Sequence, residues 1–152
     1  MFDTGVAYIH KRSILHRDLK TLNIFLTKDE KVRIGDLGVA KVLTATSGFA
    51  NTFVGTPYYL SPEMCEEKPY NEKSDIWAIG CILYEMSTYK HPFNAKNPAS
   101  LCLKILTAEY EPIHKDFSSD LKKMIEMLLE KNYNKRPGIF DILKHPSIHL
   151  VK

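Results

Sequence analysis

The sequence predicts a mainly α-helical domain that carries one small β-hairpin. Apolar residues recur at helical spacing after Pro62, and two short β-rich runs flank a polar turn near the start. The longest apolar stretch, residues 76–84, is far shorter than the roughly 20 residues that span a bilayer. We therefore expect it to form a buried core helix. With 152 residues, the chain is long enough for one domain.

The start of the chain favours a short helix followed by the hairpin. Phe2, Val6 and Ile9 fall on one helical face, which is typical of the last turns of an amphipathic helix. The β-rich runs cover residues 23–26 and 31–34, and a polar Lys-Asp-Glu turn separates them. Two antiparallel strands are therefore expected after the first helix.

The second part of the chain favours helices. Ser74 is placed to cap a helix from about residue 75 to residue 86. Pro137 is placed to open one more short helix, because proline fits the first helical position. Between them we expect a helix with Ser118 or Ser119 as its cap. Its core-facing stripe consists of Leu121, Met124, Ile125, Leu128 and Leu129.

Composition and charge are those of an ordinary soluble globular protein, with 44% hydrophobic and 26% charged residues. The net charge of +3 is too small to indicate nucleic-acid or membrane binding. The three cysteines lack metal-type spacing and are expected to be reduced thiols. Polar residues interrupt the apolar ones near the start, so no secretory signal is expected. These features favour a cytoplasmic or nuclear protein.

The run HRDLKTLN at positions 16–23 carries the strongest chemical signal. Asp18 can accept or orient the proton of an attacking hydroxyl. Lys20 is placed to neutralise charge on a transferring phosphate, and Asn23 offers a carbonyl oxygen, a hard ligand suited to magnesium. Taken alone, the run also fits a solvated charged turn.

Two further motifs follow in order. The tripeptide DLG begins at Asp36, thirteen residues after Asn23 and just past the expected hairpin. The segment GTPYYLSPE occupies residues 55–63. The first lies in the stretch 35–62 and the second ends one residue beyond it. This stretch shows little periodicity, and a loop of that length is usually functional or disordered.

These motifs resemble three protein-kinase signatures: the H-R-D-L-x-x-x-N catalytic loop, D-F-G with Leu for Phe, and A-P-E with Ser for Ala. The segments HRDLKTLNIFLT, DLGVAK, FVGTPYYLSPE and PYNEKSDIWAIGCILYEM are similar to the NIMA-related (NEK) family of serine/threonine kinases. Over its whole length the chain resembles a kinase C-terminal lobe. Its parts would be a catalytic loop at 16–23, an activation segment at 36–63 and a helical subdomain at 64–150.

The resemblance implies a catalytic site that uses ATP and Mg²⁺ on protein substrates with Ser or Thr. Asp18, Lys20, Asn23 and Thr56 would be catalytic. Lys20, Asn23 and Asp36 would bind the cofactors, with Asn23 and Asp36 as the metal ligands.

The resemblance also implies structural roles. Glu63 and Arg136 match an ion pair that ties the activation segment to the late helices, although each also fits a surface charge. Asp75 resembles a buried acid that holds the backbone of the catalytic loop, and it equally fits a first-turn acid favoured by the helix dipole. His16 would pack beneath the D-F-G residue rather than act in catalysis. Leu37 would supply an apolar side chain for packing.

A regulatory site is implied in the activation segment. Thr52, four residues before the GTPYY threonine, matches the activating phosphorylation site of the family. A phosphate there would pair with Arg17, which precedes the catalytic Asp, and Lys41 would be a second cationic partner. An unmodified loop threonine is the alternative.

The seven glycines contain no G-x-G-x-x-G, and no V-A-I-K-type strand precedes the catalytic loop. Kinases need that glycine-rich loop and strand Lys to hold ATP. We therefore expect a C-terminal lobe without the ATP-binding lobe, inactive alone. It would be a fragment of an active kinase, a naturally short non-catalytic binding module, or a half completed by another polypeptide. The NEK resemblance also implies a link to the cytoskeleton, the centrosome or cilium, or the nucleus.

Overall fold

The computed structural model describes residues 2–38, 41–42 and 57–148, without the side chains of residues 2–4 and 41–42. In this part of the chain helices predominate, and the strands form two small antiparallel sheets. The predicted mainly α fold with a hairpin is confirmed. The helices are α1 (Phe2–His10), α2 (Pro62–Cys65), α3 (Glu72–Thr88), α4 (Pro98–Thr107), α5 (Ser119–Leu128) and α6 (Ile139–Leu143).

The hairpin forms where the β-rich runs predict it. The strands are β1 (Ile14–Leu15), β2 (Ile24–Leu26), β3 (Val32–Ile34) and β4 (Lys41–Val42). Strands β2 and β3 pair antiparallel, with Phe25 opposite Arg33. At the turn, the Thr27 N–H donates to the Lys31 carbonyl at 2.9 Å. The pairing of β1 with β4 was not predicted, because strands this short leave no periodic signal.

Helix α3 begins three residues earlier than the sequence predicts. Asn71, rather than Ser74, is its cap: Asn71 Oδ1 accepts the Lys73 N–H at 2.8 Å. Ser74 Oγ accepts the Asn71 N–H at 3.3 Å in return, which completes a capping box. The helix ends before Tyr89, whose φ of 57° is left-handed.

Helix α4 was not predicted, and its capping chemistry explains it. Asn97 Oδ1 accepts the Ser100 N–H at 2.9 Å, and Pro98 occupies the first turn. Helix α5 agrees with the predicted stripe. Ser118 is the cap, and its Oγ accepts the Leu121 N–H at 3.2 Å.

Helix α6 starts two residues after Pro137, so the expectation that this proline opens the helix is wrong. Gly138 is the cap residue instead. Its N–H donates to Asp141 Oδ2 at 2.9 Å, so the first-turn acid fixes where the helix begins.

Helix α3 lies at the centre of the core and contributes to two clusters of buried apolar side chains. The first cluster includes Val6, Leu19, Ile79, Met124, Leu128 and Ile139. The second includes Trp77, Cys81, Phe93, Leu101, Ile105 and Ile125. The first joins α1 and the catalytic loop to α3, and the second joins α4 to α3.

The apolar stretch 76–84 lies within α3 and is buried except for the half-buried Leu83, as predicted. Across the described ranges, each helix is too short or too polar to cross a membrane. Gly80 in this stretch lets α5 approach closely, because a Cβ there would lie 2.9 Å from Leu128 Cβ.

Candidate active site

Asp75, in the first turn of α3, holds the backbone of the candidate catalytic loop. Its buried carboxylate accepts the His16 N–H at 3.0 Å and the Arg17 N–H at 3.1 Å. Arg17 has a left-handed φ of 71°, a conformation that costs a non-glycine residue roughly 1–3 kcal/mol. The two hydrogen bonds to Asp75 stabilise that strained turn, so α3 sets the shape of the loop.

Tyr70 and His10 complete the surroundings of Asp75. The Tyr70 hydroxyl donates to Asp75 Oδ1 at 2.5 Å, and His10 Nε2 lies 2.7 Å from Oδ2. Burial raises the pKa of Asp75, but hydrogen bonds from His10, Tyr70 and the two amides outweigh it and hold that pKa below its ordinary value of 3.8. Burial and the charge on Asp75 raise the pKa of Tyr70. No sequence signal pointed to His10 as a partner, because it lies 65 residues from Asp75. Tyr70 lies only five residues before Asp75, but a lone tyrosine is not distinctive in the sequence.

Asp18, Lys20 and Asn23 are brought together by the loop. Lys20 Nζ donates to Asp18 Oδ2 at 2.7 Å. Asn23 Nδ2 donates to the Asp18 carbonyl at 2.8 Å and to Asp18 Oδ2 at 3.0 Å. Asp18 is half-buried, and Asn23 is buried in a 3-10 turn, Thr21–Asn23. One carboxylate oxygen of Asp18 is therefore fixed by two donors.

His16 connects this loop to the start of the DLG motif. It is fully buried, and its Nδ1 accepts the Asp18 N–H at 3.3 Å. Nε2 then carries the proton and donates to the Gly35 carbonyl at 3.2 Å. The Gly35 N–H donates to the Asn23 carbonyl at 2.9 Å. The residue before Asp36 is thus bound to both ends of the catalytic loop.

Asp36 and Leu37 lie in a tight turn after β3. Asp36 has a left-handed φ of 58°, and its Oδ1 accepts the Gly38 N–H at 3.2 Å. Asp36 is exposed. Leu37 exposes 54% of its surface, and the packing role expected for it stays a prediction.

Glu63 in α2 and Arg136 before α6 form a buried ion pair. Arg136 Nη1 and Nη2 donate to Glu63 Oε1 and Oε2 at 2.9 and 3.1 Å. Ser74 Oγ donates to Glu63 Oε1 at 2.6 Å, and the Arg136 guanidinium also donates to backbone carbonyls, including that of Lys73 at 2.7 Å. Burial raises the pKa of Glu63, yet Arg136 and Ser74 hold it below its ordinary value. The pair joins α2, α3 and the segment before α6.

A second polar cluster contacts the catalytic loop. The Tyr59 hydroxyl donates to Glu85 Oε2 at 2.6 Å and lies 3.0 Å from Thr21 Oγ1. Burial, reinforced by the hydrogen bond to Glu85, raises the pKa of Tyr59 to about 12. This link from α3 to the residue after Lys20 was missed from sequence, because none of the three residue types is distinctive alone.

The predicted regulatory residues are only partly described. Thr52 and Thr56 lie outside the described residues, as does the side chain of Lys41, and their roles stay predictions. The side chain of Arg17 is exposed, with its guanidinium carbon 5.7 Å from the centroid of the Tyr70 ring.

The arrangement agrees with comparisons to known proteins. A sequence profile described as the protein kinase domain matches residues 3–148. The chain belongs to the protein kinase domain family. This kinase domain is 52% identical to the serine/threonine-protein kinase Nek1 of Mus musculus over 92% of its length. It is 50% identical to Nek5 of Homo sapiens over 95% of its length.

The resemblance to NEK kinases is therefore confirmed. A probable serine/threonine-protein kinase, nek3 of Dictyostelium discoideum, is also 50% identical over 95% of the chain. The kinase domain spans 12% of the mouse Nek1 protein, 20% of human Nek5 and 13% of the Dictyostelium protein. Its homologues are serine/threonine kinases, and the residues described above lie within the matched region.

Proposed function

We propose that this chain takes part in transfer of the γ-phosphate of ATP to Ser or Thr hydroxyls of protein substrates. The observation that carries the proposal is that Lys20 Nζ and Asn23 Nδ2 both donate to Asp18 Oδ2, at 2.7 and 3.0 Å. With Oδ2 fixed in this way, Oδ1 would orient a substrate hydroxyl and accept its proton. Lys20, beside it, offsets negative charge on the transferring phosphate.

The donor set fits Mg²⁺, which prefers oxygen ligands. The amide nitrogen of Asn23 is engaged with Asp18, which leaves Asn23 Oδ1 for a cation. The exposed Asp36 carboxylate has one oxygen in the turn with Gly38, and its other oxygen would be a second ligand for the cation. Mg²⁺ held there would neutralise charge on the ATP phosphates. The backbone of Gly35, which is hydrogen-bonded to His16 and to Asn23, would hold Asn23 and Asp36 in position as ligands.

We further propose that these 152 residues act as the C-terminal lobe and need a glycine-rich loop and a strand Lys from elsewhere. Neither motif occurs in the sequence. Fluorescent-nucleotide titration of the purified 152-residue chain is expected to show no saturation at about 1 mM ATP. Saturable binding with Asp18-dependent phosphate transfer by the chain alone would contradict this part of the proposal.

The catalytic role is tested in a chimera that joins the nucleotide-binding lobe of the mouse Nek1 relative to this chain. The chimera is expected to phosphorylate a general Ser/Thr protein substrate, and Asp18→Asn to reduce kcat at least about 10²-fold. Asp29→Asn is the matched control, because Asp29 is an exposed carboxylate in the hairpin turn. A chimera whose activity is unaffected by Asp18→Asn would refute the assignment.

We also propose that a phosphate group on Thr52 binds the guanidinium of Arg17. Support comes from the exposed guanidinium of Arg17 and its strained backbone, which a bound phosphate would hold. Mass spectrometry of the protein from cells is expected to find phospho-Thr52, and Thr52→Ala and Arg17→Ala are expected to lower the activity of the chimera by similar factors. Unchanged activity of the chimera with Thr52→Ala would contradict this proposal.

A non-catalytic kinase-like binding module is the second candidate function. It is favoured by apolar side chains exposed beside the site: Leu22, Phe25, Leu26 and Leu37 expose 76%, 52%, 69% and 54% of their surfaces. A chimera that folds and binds ATP yet transfers no phosphate would support this candidate over the first.

A further inference from the structure

His91, in the loop after α3, faces the polar cluster of Tyr59 and Glu85 beside the catalytic loop. Its Nδ1 lies 3.6 Å from Glu85 Oε2, the same oxygen that accepts the Tyr59 hydroxyl at 2.6 Å. Nδ1 is buried and has no hydrogen-bond partner among the residues that the structure describes. A carboxylate that faces a ring nitrogen favours the tautomer with the proton on that nitrogen. His91 therefore presents an N–H to Glu85.

The imidazole of His91 also packs against both tyrosines of the GTPYY segment. It stacks on the Tyr58 ring, with the centroids 4.2 Å apart and the planes at 14°. It meets the Tyr59 ring edge-on, at 5.6 Å and 83°. Both geometries are favourable for ring pairs. Because the two tyrosines belong to the 3-10 turn Pro57–Tyr59, one side chain links this turn to Glu85 in α3.

The contacts continue into the catalytic loop through Thr21. The Tyr59 hydroxyl donates to Glu85, so its oxygen can accept the Thr21 hydroxyl, 3.0 Å away, and the Thr21 N–H at 3.5 Å. Burial and the bond to Glu85 raise the pKa of Tyr59 to about 12, which keeps the hydroxyl protonated as a donor at neutral pH. Thr21 directly follows Lys20, which donates to Asp18 Oδ2.

We propose that His91 is a positioning residue that acts on the catalytic loop through Glu85. Its Nδ1–H orients the Glu85 carboxylate, and the Tyr59 hydroxyl bound to that carboxylate holds Thr21. Because Thr21 adjoins Lys20, the position of the Lys20 ammonium depends on these contacts. The expected effect on rate rests on the proposed phosphate transfer, whereas the effect on the loop rests on its geometry alone.

His91→Phe is the informative substitution, because it keeps a ring that can stack on Tyr58 and removes Nδ1. His114→Phe is the matched control. It makes the same change at a histidine before α5 whose side chain is 66% exposed and contacts Asp116. A difference between the two variants therefore reports the contact of Nδ1 with Glu85.

The first test is made by NMR on the full 152-residue chain and measures no phosphate transfer. At about pH 8, where an ordinary imidazole is uncharged, the nitrogen chemical shifts of His91 are expected to place the proton on Nδ1. In His91→Phe the Thr21 amide is expected to exchange with deuterium several-fold faster, because its acceptor, the Tyr59 hydroxyl, is less well held. The His16 amide, bound to Asp75, is expected to keep the parental rate.

A proton on His91 Nε2 at that pH would overturn the proposal. A Thr21 amide that exchanges equally fast in the parent, His91→Phe and His114→Phe would also overturn it. So would faster exchange of Thr21 and His16 alike, because that result indicates general loosening of the loop. The tautomer is measured in the parent chain, so it decides the matter even if His91→Phe does not fold.

The second test measures kinetics in the chimera with the nucleotide-binding lobe of the mouse Nek1 relative. Displacement of a catalytic group by about 1 Å can cost about 10²-fold in rate, so His91→Phe is expected to lower kcat about tenfold. The KM for ATP should stay unchanged, because Lys20 acts on charge that develops during transfer. Glu85→Gln should also lower kcat, and the double variant should fall no further than the slower single variant.

Equal kcat values for His91→Phe and His114→Phe would overturn the proposal, and so would losses that multiply in the double variant with Glu85→Gln. A parent chimera that transfers no phosphate would count against the proposed function alone. The NMR measurements on the 152-residue chain would then still decide whether His91 positions Thr21.

Discussion

Arg136 holds Glu63 through two parallel hydrogen bonds of 2.9 and 3.1 Å, and both side chains are almost completely buried. Seventy-three residues separate the two partners in the chain. The guanidinium also lies over the Trp77 ring, 4.9 Å from its centroid. The pair therefore connects helix α2, the central helix and the segment before the last helix through one fully desolvated contact.

Loss of one partner of this pair is expected to destabilise the fold strongly. Arg136→Ala leaves the Glu63 carboxylate buried without its cation, which costs about 3–5 kcal/mol in the free energy of unfolding. Arg136→Lys keeps the charge but cannot make the two parallel hydrogen bonds to Glu63, so a smaller decrease in the free energy of unfolding is expected. Urea unfolding measures both. Lys31→Ala, which removes the exposed ion pair of Lys31 with Asp29, is the control and should leave the midpoint unchanged.

Acid is expected to weaken the fold through Glu63 and Asp75. Their folded-state pKa values lie below the ordinary values of 4.5 and 3.8, so the unfolded chain binds more protons as the pH falls. Their stabilisation is complete well above these values and is lost as the pH falls through the folded pKa values. Denaturant unfolding from pH 7 to pH 3 should show the free energy of unfolding falling below about pH 5. A Glu63→Gln variant with the same pH slope as the parent would contradict this.

Removal of the Tyr70 hydroxyl is expected to weaken the hold of Asp75 on the catalytic loop. Tyr70→Phe deletes the hydrogen bond to Asp75 Oδ1, and a hydrogen bond to a charged group contributes about 1.5–3 kcal/mol. Chemical denaturation measures the loss. Tyr89→Phe is the matched control, because Tyr89 is 94% exposed. Equal midpoints for the two variants would show that the Tyr70 hydroxyl contributes nothing.

Substitution of Gly80 is expected to destabilise the chain. Gly80→Ala should lower the free energy of unfolding by about 1–3 kcal/mol, because its Cβ would meet Leu128 Cβ at 2.9 Å and Leu129 Cδ2 at 2.8 Å. Thermal unfolding of the variant beside the parent measures the loss. A Gly80→Ala variant as stable as the parent would mean that α5 moves aside freely.

Local chemistry made much of the fold predictable. The hairpin and the buried stripe of α5 follow from short local patterns, and the structure has both where expected. Helix α4 carried a readable signal in Asn97-Pro98, a capping residue followed by a first-turn proline, which was overlooked in the absence of a long apolar stripe. The start of α3 was misplaced because Ser74 serves the capping box from inside the helix.

The site was predictable in its residues but not in its connections. Asp18, Lys20 and Asn23 lie within one short loop, and their spacing already indicates that they meet. The contacts of Asp75 with His10 and of Tyr59 with Glu85 depend on how helices dock. Side chains far apart in sequence acquire such partners only through tertiary packing, for which one sequence offers no local signal.

Because Asp75 accepts two backbone amides, the shape of the catalytic loop depends on the packing of α3. The His16 amide lies 59 residues from its acceptor, so this hydrogen bond is present only while α3 is packed against the loop. The amide hydrogens of His16 and Arg17 can exchange with solvent deuterium only when their hydrogen bonds to Asp75 are broken. The exchange rates of these two amide hydrogens therefore report whether α3 is packed against the loop.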